Sequence, residues 1–440
     1  MSAFATSAFA RGLTVAALGS LIAGPVLAQQ QPAPKIDSGD TAWMIVATAL
    51  VLLMSLPGLA LFYAGMVRKK NVLATTAQTL ATAGLATVLW VVVGYSLTFS
   101  GSGAWIGDLG RFLMGGMTVE AIHPNAKTIP ESVFAFYQMT FAIITPALVL
   151  GAVADRMKFS AMLWFMGLWL LVVYVPVAHW VWGGGFLQTD GVLDFAGGIV
   201  VHINAGIAGL VAAIMLGPRR NYGHENMAPY NLVLAVIGVS LLWVGWMGFN
   251  GGSALAADGR AGMAMLVTHV AAATAALAWM FAEWLTMGKP SVLGIISGAV
   301  AGLGSITPAA GYVGIGPALL IGLIAGVACF YASTALKKRL GYDDSLDVFG
   351  VHGVGGIIGT IGAGIFAASV IAGPEIKGLW FDGNGKQVLT QLKGIVVCLL
   401  WSGALTWVIL MIIKATIGLR VTNEQEIEGL DLHLHGERVE

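Results

Sequence analysis

The sequence predicts an all-α polytopic membrane protein of eleven transmembrane helices, arranged as two inverted five-helix repeats plus a C-terminal helix. Three observations predict it. The chain is 57% hydrophobic and only 10% charged, whereas a soluble domain is about one-quarter charged, so a bilayer must serve as its solvent. Apolar windows of about 20 residues recur along it. Lysine and arginine crowd into every second loop, as the positive-inside rule requires of a multi-pass protein.

The N-terminus reads as an export signal over residues 1–28. Arg11 supplies its charge, Gly12 to Leu27 its apolar stretch, and Val26-Leu27-Ala28 a small-residue end ahead of Gln29. A first transmembrane helix is the other reading, but the stretch is short for a span and contains Gly24-Pro25. Residues 29–41 are then an exported N-terminus, 42–417 the transmembrane domain and 418–440 a tail. The spans fall at about 42–66, 72–99, 131–154, 160–182, 196–216, 229–251, 262–286, 291–309, 313–336, 347–370 and 391–417.

The loops after the odd-numbered spans, from the first to the ninth, hold Arg68, Lys69, Lys70, Arg156, Lys158, Arg219, Arg220, Lys289, Lys337, Lys338 and Arg339. That face is predicted to be cytoplasmic, with the N-terminus outside and the C-terminal tail inside. Basic and acidic residues balance at 22 each, leaving no basic excess for nucleic acid. Cys329 and Cys398 both lie in apolar runs and offer no disulfide framework or cysteine metal site. Ten spans before the last suggest five plus five. An odd-membered unit must re-enter from the opposite side, which is the plan of many transporters. Spans five and ten then correspond, with Asp194 leading to His202 in one and Asp347 to His352 in the other.

Ionisable groups inside spans are costly and default to functional hypotheses. His202 and His352 can each donate, accept and pass on a proton; separate packing roles on backbone carbonyls are the alternative. A metal centre needs three or four ligands, and no further ligand falls at helical spacing from either histidine. Tyr137 and Phe141 stand one turn apart near the outer end of span three. Trp182, Phe249 and Ser253 close spans four and six on that side, and Asp194 opens span five there. An interfacial aromatic belt is the plain reading. It does not account for the Gly183-Gly184-Gly185 run or the Asn250-Gly251-Gly252-Ser253 turn. Aromatic faces attract cations by about 0.5–2 kcal/mol, and a hydroxyl accepts an N–H, so the group suits a small cation bearing hydrogens. Asp194 either ligates that cation or caps span five.

Asp194-Phe195-Ala196-Gly197-Gly198-Ile199-Val200-Val201-His202-Ile203-Asn204-Ala205-Gly206, Gly245-Trp246 through Ser253, and Asp347-Val348-Phe349-Gly350-Val351-His352-Gly353 resemble the signatures of the ammonium transporter (Amt/Mep/Rh) family, bacterial Amt type. The resemblance runs from about Asp40 to the C-terminus. It implies a homotrimer in the bacterial inner membrane, each subunit having its own pore. Trp182, Ser253 and Tyr137 would form an external ammonium site supported by Asp194. Phe141 and Phe249 would gate the pore, and His202 and His352 would line it side by side. Tyr137 stands where many members have phenylalanine. No cofactor is implied. The tail, from Gly418-Leu419-Arg420-Val421 to His435-Gly436-Glu437, resembles one that implies a PII-type signalling partner; a merely solvated acidic tail is the alternative. A sensor, a membrane enzyme and a neutral-gas or urea channel are the rival classes. The short tail argues against the first, the missing nucleophile against the second, and the Trp182–Ser253 pair against the third.

Overall fold

Eleven helical segments carry the chain back and forth. In order they are α1 Ser38–Met66, α2 Lys69–Phe99, α3 Glu131–Val153, α4 Phe159–Thr189, α5 Gly198–Leu216, α6 Leu232–Gly252, α7 Gly259–Met287, α8 Val292–Ile306, α9 Ile315–Leu340, α10 Phe349–Phe366 and α11 Gly385–Thr416. The computed structural model describes residues 34–440, and 36–440 form one unit. The predicted export signal, and residues 29–33 after it, lie outside the described residues.

Among the described residues, ten of these helices are long and apolar enough to cross a bilayer; α8 is the shorter exception. Its 15 residues reach only about 22 Å at 1.5 Å each. Thr307-Pro308 then breaks the helix, and the Pro308 carbonyl accepts the Phe195 amide at 3.1 Å. The eighth apolar window, predicted over 291–309, is thus part helix and part turn. The last helix begins at Gly385, earlier than the apolar window indicates, because its first turns carry Lys386 and Lys393 out of the apolar zone.

The helix pairings repeat. α2 packs on α3 and α4 as α7 packs on α8 and α9; α3 meets α5 as α8 meets α10. Two pairs join the halves, α1 with α6 and α5 with α10, and α11 lies across α4, α5 and α10. Small residues make both central crossings possible. A methyl on Gly238 would strike the backbone of Phe62, and one on Gly206 the backbone of Gly353.

α5 and α10 both open with a π-helical turn, Gly198–Ile203 and Phe349–Gly353. Such wide turns re-aim side chains and recur at functional sites. The structure also revises the predicted match between the repeats. The counterpart of Asp194 is Asp344, not Asp347. Asp344 lies eight residues before His352, as Asp194 does before His202. It accepts the amide five residues on, Phe349, at 2.8 Å, as Asp194 accepts Ile199. Asp347 sits in a left-handed conformation, φ 59°, and pairs instead with Lys337 at 2.5 Å.

The loops richest in basic residues are cross-linked. Arg219 forks onto Asp343 at 2.8 and 2.9 Å and reaches Asp155 at 3.6 Å. Arg68 also holds Asp155, and Arg156 binds the Gly217 and Asp343 carbonyls and Ser345. The tail closes over this lattice. Lys158 and Val421 exchange backbone bonds with Leu419 and Arg156, Arg420 pairs with Glu426, and Asp431 caps α2 at the Leu73 and Ala74 amides. Burial by itself would raise the Asp343 carboxyl, but the bonds and charge of Arg219 hold it below its ordinary range. Its stabilising contribution is therefore complete above about pH 4 and lost as pH falls through the lowered value. Asp343→Asn leaves buried Arg219 with only the more distant Asp155 as counter-ion and should cost about 3 kcal/mol. Thermal unfolding in detergent at neutral pH checks this, and the variant should lose less stability than the parent on acidification below pH 4.

Candidate functional site

The ends of α3, α4 and α6 meet beside the start of α5 to form a vestibule of about 530 Å³. Its lining includes Phe141, Trp182, Asp194 and Ser253, together with Arg260 and Tyr312. Trp182 is the last residue of its helix before the Gly183 break, and its indole N–H donates to the Asp194 carbonyl at 2.8 Å. The Phe141 ring meets Trp182 edge-on, with centroids 5.5 Å apart.

Asp194 is buried and its carboxylate is fully engaged. Oδ1 accepts the Gly197 and Gly198 amides at 2.9 and 2.6 Å, and Oδ2 those of Ile199 and Val200 at 2.8 and 3.1 Å. All four are first-turn N–H groups that a helix start leaves orphaned. Gly197 makes the turn with φ 117°, and a methyl there would strike Val201. Of the two roles open for Asp194 in sequence, capping is the one its geometry performs in the described chain.

Tyr137 lies behind the vestibule floor. It is fully buried, and its hydroxyl donates to the Phe249 carbonyl at 2.7 Å, with Ser253 Oγ 3.2 Å away. The Ser253 hydroxyl itself lies 2.9 Å from the same carbonyl. The tyrosine hydroxyl therefore ties α3 to the end of α6, and its ring meets Phe141 nearly at right angles, at 5.1 Å.

Beneath the vestibule, the Phe141 and Phe249 rings pack with centroids 4.4 Å apart. Phe249 also lines the next cavity down, an apolar space bounded by Leu148, Val201, Trp246, Val300, His202 and His352. The phenylalanine pair thus stands between a chamber with polar groups in its walls and an apolar one. In the lower cavity the imidazoles are nearly coplanar, inclined by 7°, with Nδ1 facing Nδ1 at 3.2 Å. Two facing ring nitrogens can share only one proton, so one histidine donates through Nδ1 and the other accepts. Trp246 stacks on His202 at 5.5 Å and 13°, anchored through its N–H to Thr307. His202 Nε2 is buried and unpartnered.

The protein-family model described as the Ammonium Transporter Family matches residues 42–440. The chain belongs to the ammonium transporter family. The ammonium transporter of Aquifex aeolicus is 50% identical over 405 residues, which is 92% of this chain and 94% of that protein. That of Bacillus subtilis is 45% identical over 92% of this chain and 98% of its own. Among solved structures, Saccharomyces cerevisiae Mep2 superposes with a TM-score of 0.82 at 38% identity across 88% of each chain. A protein described as a sensor Amt protein does so with a TM-score of 0.82 at 31% identity, over 90% of this chain and 98% of its own. These relatives form a transport family rather than an enzyme family, and this ammonium transporter family member is accordingly a multi-pass membrane protein.

Two residues of the site were not singled out by sequence reasoning. Trp246 sits inside a quoted motif, but its stacking on His202 depends on how the bundle places α5 and α6 around the lumen. Arg260 lies over the Phe195 and Tyr312 rings at 5.6 and 5.3 Å on the vestibule wall. Nothing in its local pattern, a basic residue near a helix start, distinguishes it from a solvated one.

Proposed function

We propose that the protein binds ammonium in the aromatic vestibule, removes its proton near Phe141 and Phe249, and conducts ammonia through the apolar lumen, with His202 and His352 as the route for any proton that follows. The supporting observation is the sequence of environments along one axis: aromatic rings and a hydroxyl, then a closely packed, tilted phenylalanine pair, then an apolar lumen with facing imidazoles. An unpaired charge in such a lumen would be very expensive, whereas neutral ammonia is not. Potassium has the same charge as ammonium but no proton to release, so this path rejects it. The tail-bearing face is the cytoplasmic one in this reading, in a bacterial inner membrane, and residues 1–28 are the export signal. The homotrimer rests on family membership, and the PII-type partner on the resemblance of the tail from Gly418 to Glu437.

Ammonium-evoked current in proteoliposomes is the direct test. Potassium current of equal size would defeat the deprotonation step. Trp182→Ala removes the largest vestibule ring and should raise the external KM for labelled methylammonium about tenfold, the scale of one lost cation–ring contact of about 1–2 kcal/mol. An unchanged KM would remove Trp182 from the site.

A further inference from the structure

α11 has no counterpart in either repeat, yet one of its side chains is built into the approach to Asp194. Gln387 and Gln391 lie in its first turns, four residues apart and so on one face. Gln391 is fully buried. Its Oε1 accepts the Leu193 amide at 2.7 Å, and its NH₂ group donates to the Leu193 carbonyl at 2.6 Å. The NH₂ group also donates to the Thr360 carbonyl on α10 at 3.2 Å, and Oε1 accepts the Gln387 NH₂ at 3.1 Å. A carboxamide offers two donors and two acceptor positions, and here all four are used.

Leu193 depends on this contact. Among the described residues, no main-chain group outside Gln391's reach pairs with its N–H or C=O, and a buried peptide group without a partner is costly. Gln387 extends the hold outward by donating to the Gly191 carbonyl at 2.8 Å, and Lys393 pairs with Asp190. Gly394 lets α11 come this close: a methyl there would lie 2.8 Å from Ile199 and 3.2 Å from Val192. The chain is thus fixed by α11 immediately before Asp194, whose carbonyl takes the Trp182 indole N–H at 2.8 Å.

The other repeat meets the same need differently. The residue before Asp344 is Asp343, and its carbonyl accepts the Arg156 guanidinium at 2.6 Å. An arginine in the place of Gln391 would bring a positive charge behind the wall of a cation site. A neutral amide holds the backbone without that repulsion. Gln391 itself lies outside the vestibule lining, so it acts only through what it holds.

We propose that Gln391 is a positioning residue for ammonium binding: by clamping Leu193 it fixes the Asp194 carbonyl, and with it the orientation of the Trp182 ring. The proposal rests on the vestibule reading above and assigns part of that site's affinity to the helix outside the repeats.

The test is a double-mutant cycle in membrane vesicles containing the full-length protein, reading the external KM and the maximal rate of labelled methylammonium uptake. Gln391→Met roughly keeps the volume and removes every hydrogen bond. It should raise KM about fivefold, the scale of one hydrogen bond, and change the maximal rate by less than about twofold. In a Trp182→Ala background the same substitution should move KM by less than about twofold, because the ring it orients is gone. Gln387→Ala loosens the same hold at a part-exposed position, so it decides the matter where Gln391→Met fails to fold. It should raise KM about threefold and likewise add little to Trp182→Ala. A parental KM in a folded variant, or KM changes that multiply in the cycle, would overturn this proposal alone. A parental KM in Trp182→Ala would overturn the vestibule reading and this proposal together.

Discussion

Asp194→Ala should abolish methylammonium uptake and lower the unfolding temperature together. The four amides of Gly197, Gly198, Ile199 and Val200 point at its two carboxylate oxygens, in a buried setting that gives them no other partner in sight. Stranding a buried donor costs about 1–3 kcal/mol, so the total loss is at least about 4 kcal/mol, a large part of the stability of an ordinary domain. Asp194→Asn is the sharper variant. One of its two positions becomes an NH₂ group aimed at two N–H donors, so half the cap turns repulsive although size and shape are preserved. Both variants should begin α5 in the wrong place. That would shift the indole of Trp182, which donates to the Asp194 carbonyl, and then His202 one turn further in. Thermal unfolding in detergent and vesicle uptake measure the two effects. Should Asp194→Asn unfold at the parental temperature but fail to transport, the carboxylate would be acting through its charge and not as a cap.

His202→Leu and His202→Ala should fail in different ways. Leucine roughly fills the space between Trp246 and His352 but cannot carry a proton, so ammonium-evoked current should fall at least about tenfold, the lower range for loss of a proton-transfer group, and potassium should stay excluded. Alanine leaves a void beside Trp246 and strands His352 Nδ1. The void adjoins polar groups, so water can enter it, and a hydrated path admits charge. Potassium current should then appear. Paired measurements of ammonium- and potassium-evoked current in proteoliposomes distinguish these results. Parental currents in both variants would reduce the imidazole pair to packing.

How much of this was legible beforehand depended on the physics behind each feature. The spans were readable because bilayer thickness imposes a length and an apolar composition on each one, and α8 departed from its window only where Pro308 ends the helix. The histidines stood out because an ionisable group in an apolar run is costly wherever it points. Trp182, Ser253 and Phe249 were found through helix ends converging on one side, and the vestibule and the phenylalanine pair gather them there. Other features turned on contacts that no local pattern encodes. Asp347 looked like the partner of Asp194 because it directly precedes its helix. Asp344 holds that position because a left-handed residue at 347 folds the intervening turn back. Tyr137 was expected in the external site from the family resemblance; that its hydroxyl is held by the Phe249 carbonyl follows from where α6 ends.

Composition, span length and loop charge by themselves determined that this chain is a helical bundle in a bilayer and which faces its loops share, since solvent sorts residues one segment at a time. That His202 and His352 meet nitrogen to nitrogen was decided only by the tertiary structure. Their contact follows from Gly206 lying against Gly353, a backbone approach set by the crossing of two helices 150 residues apart, and from two π-helical turns that aim both rings into the same apolar space.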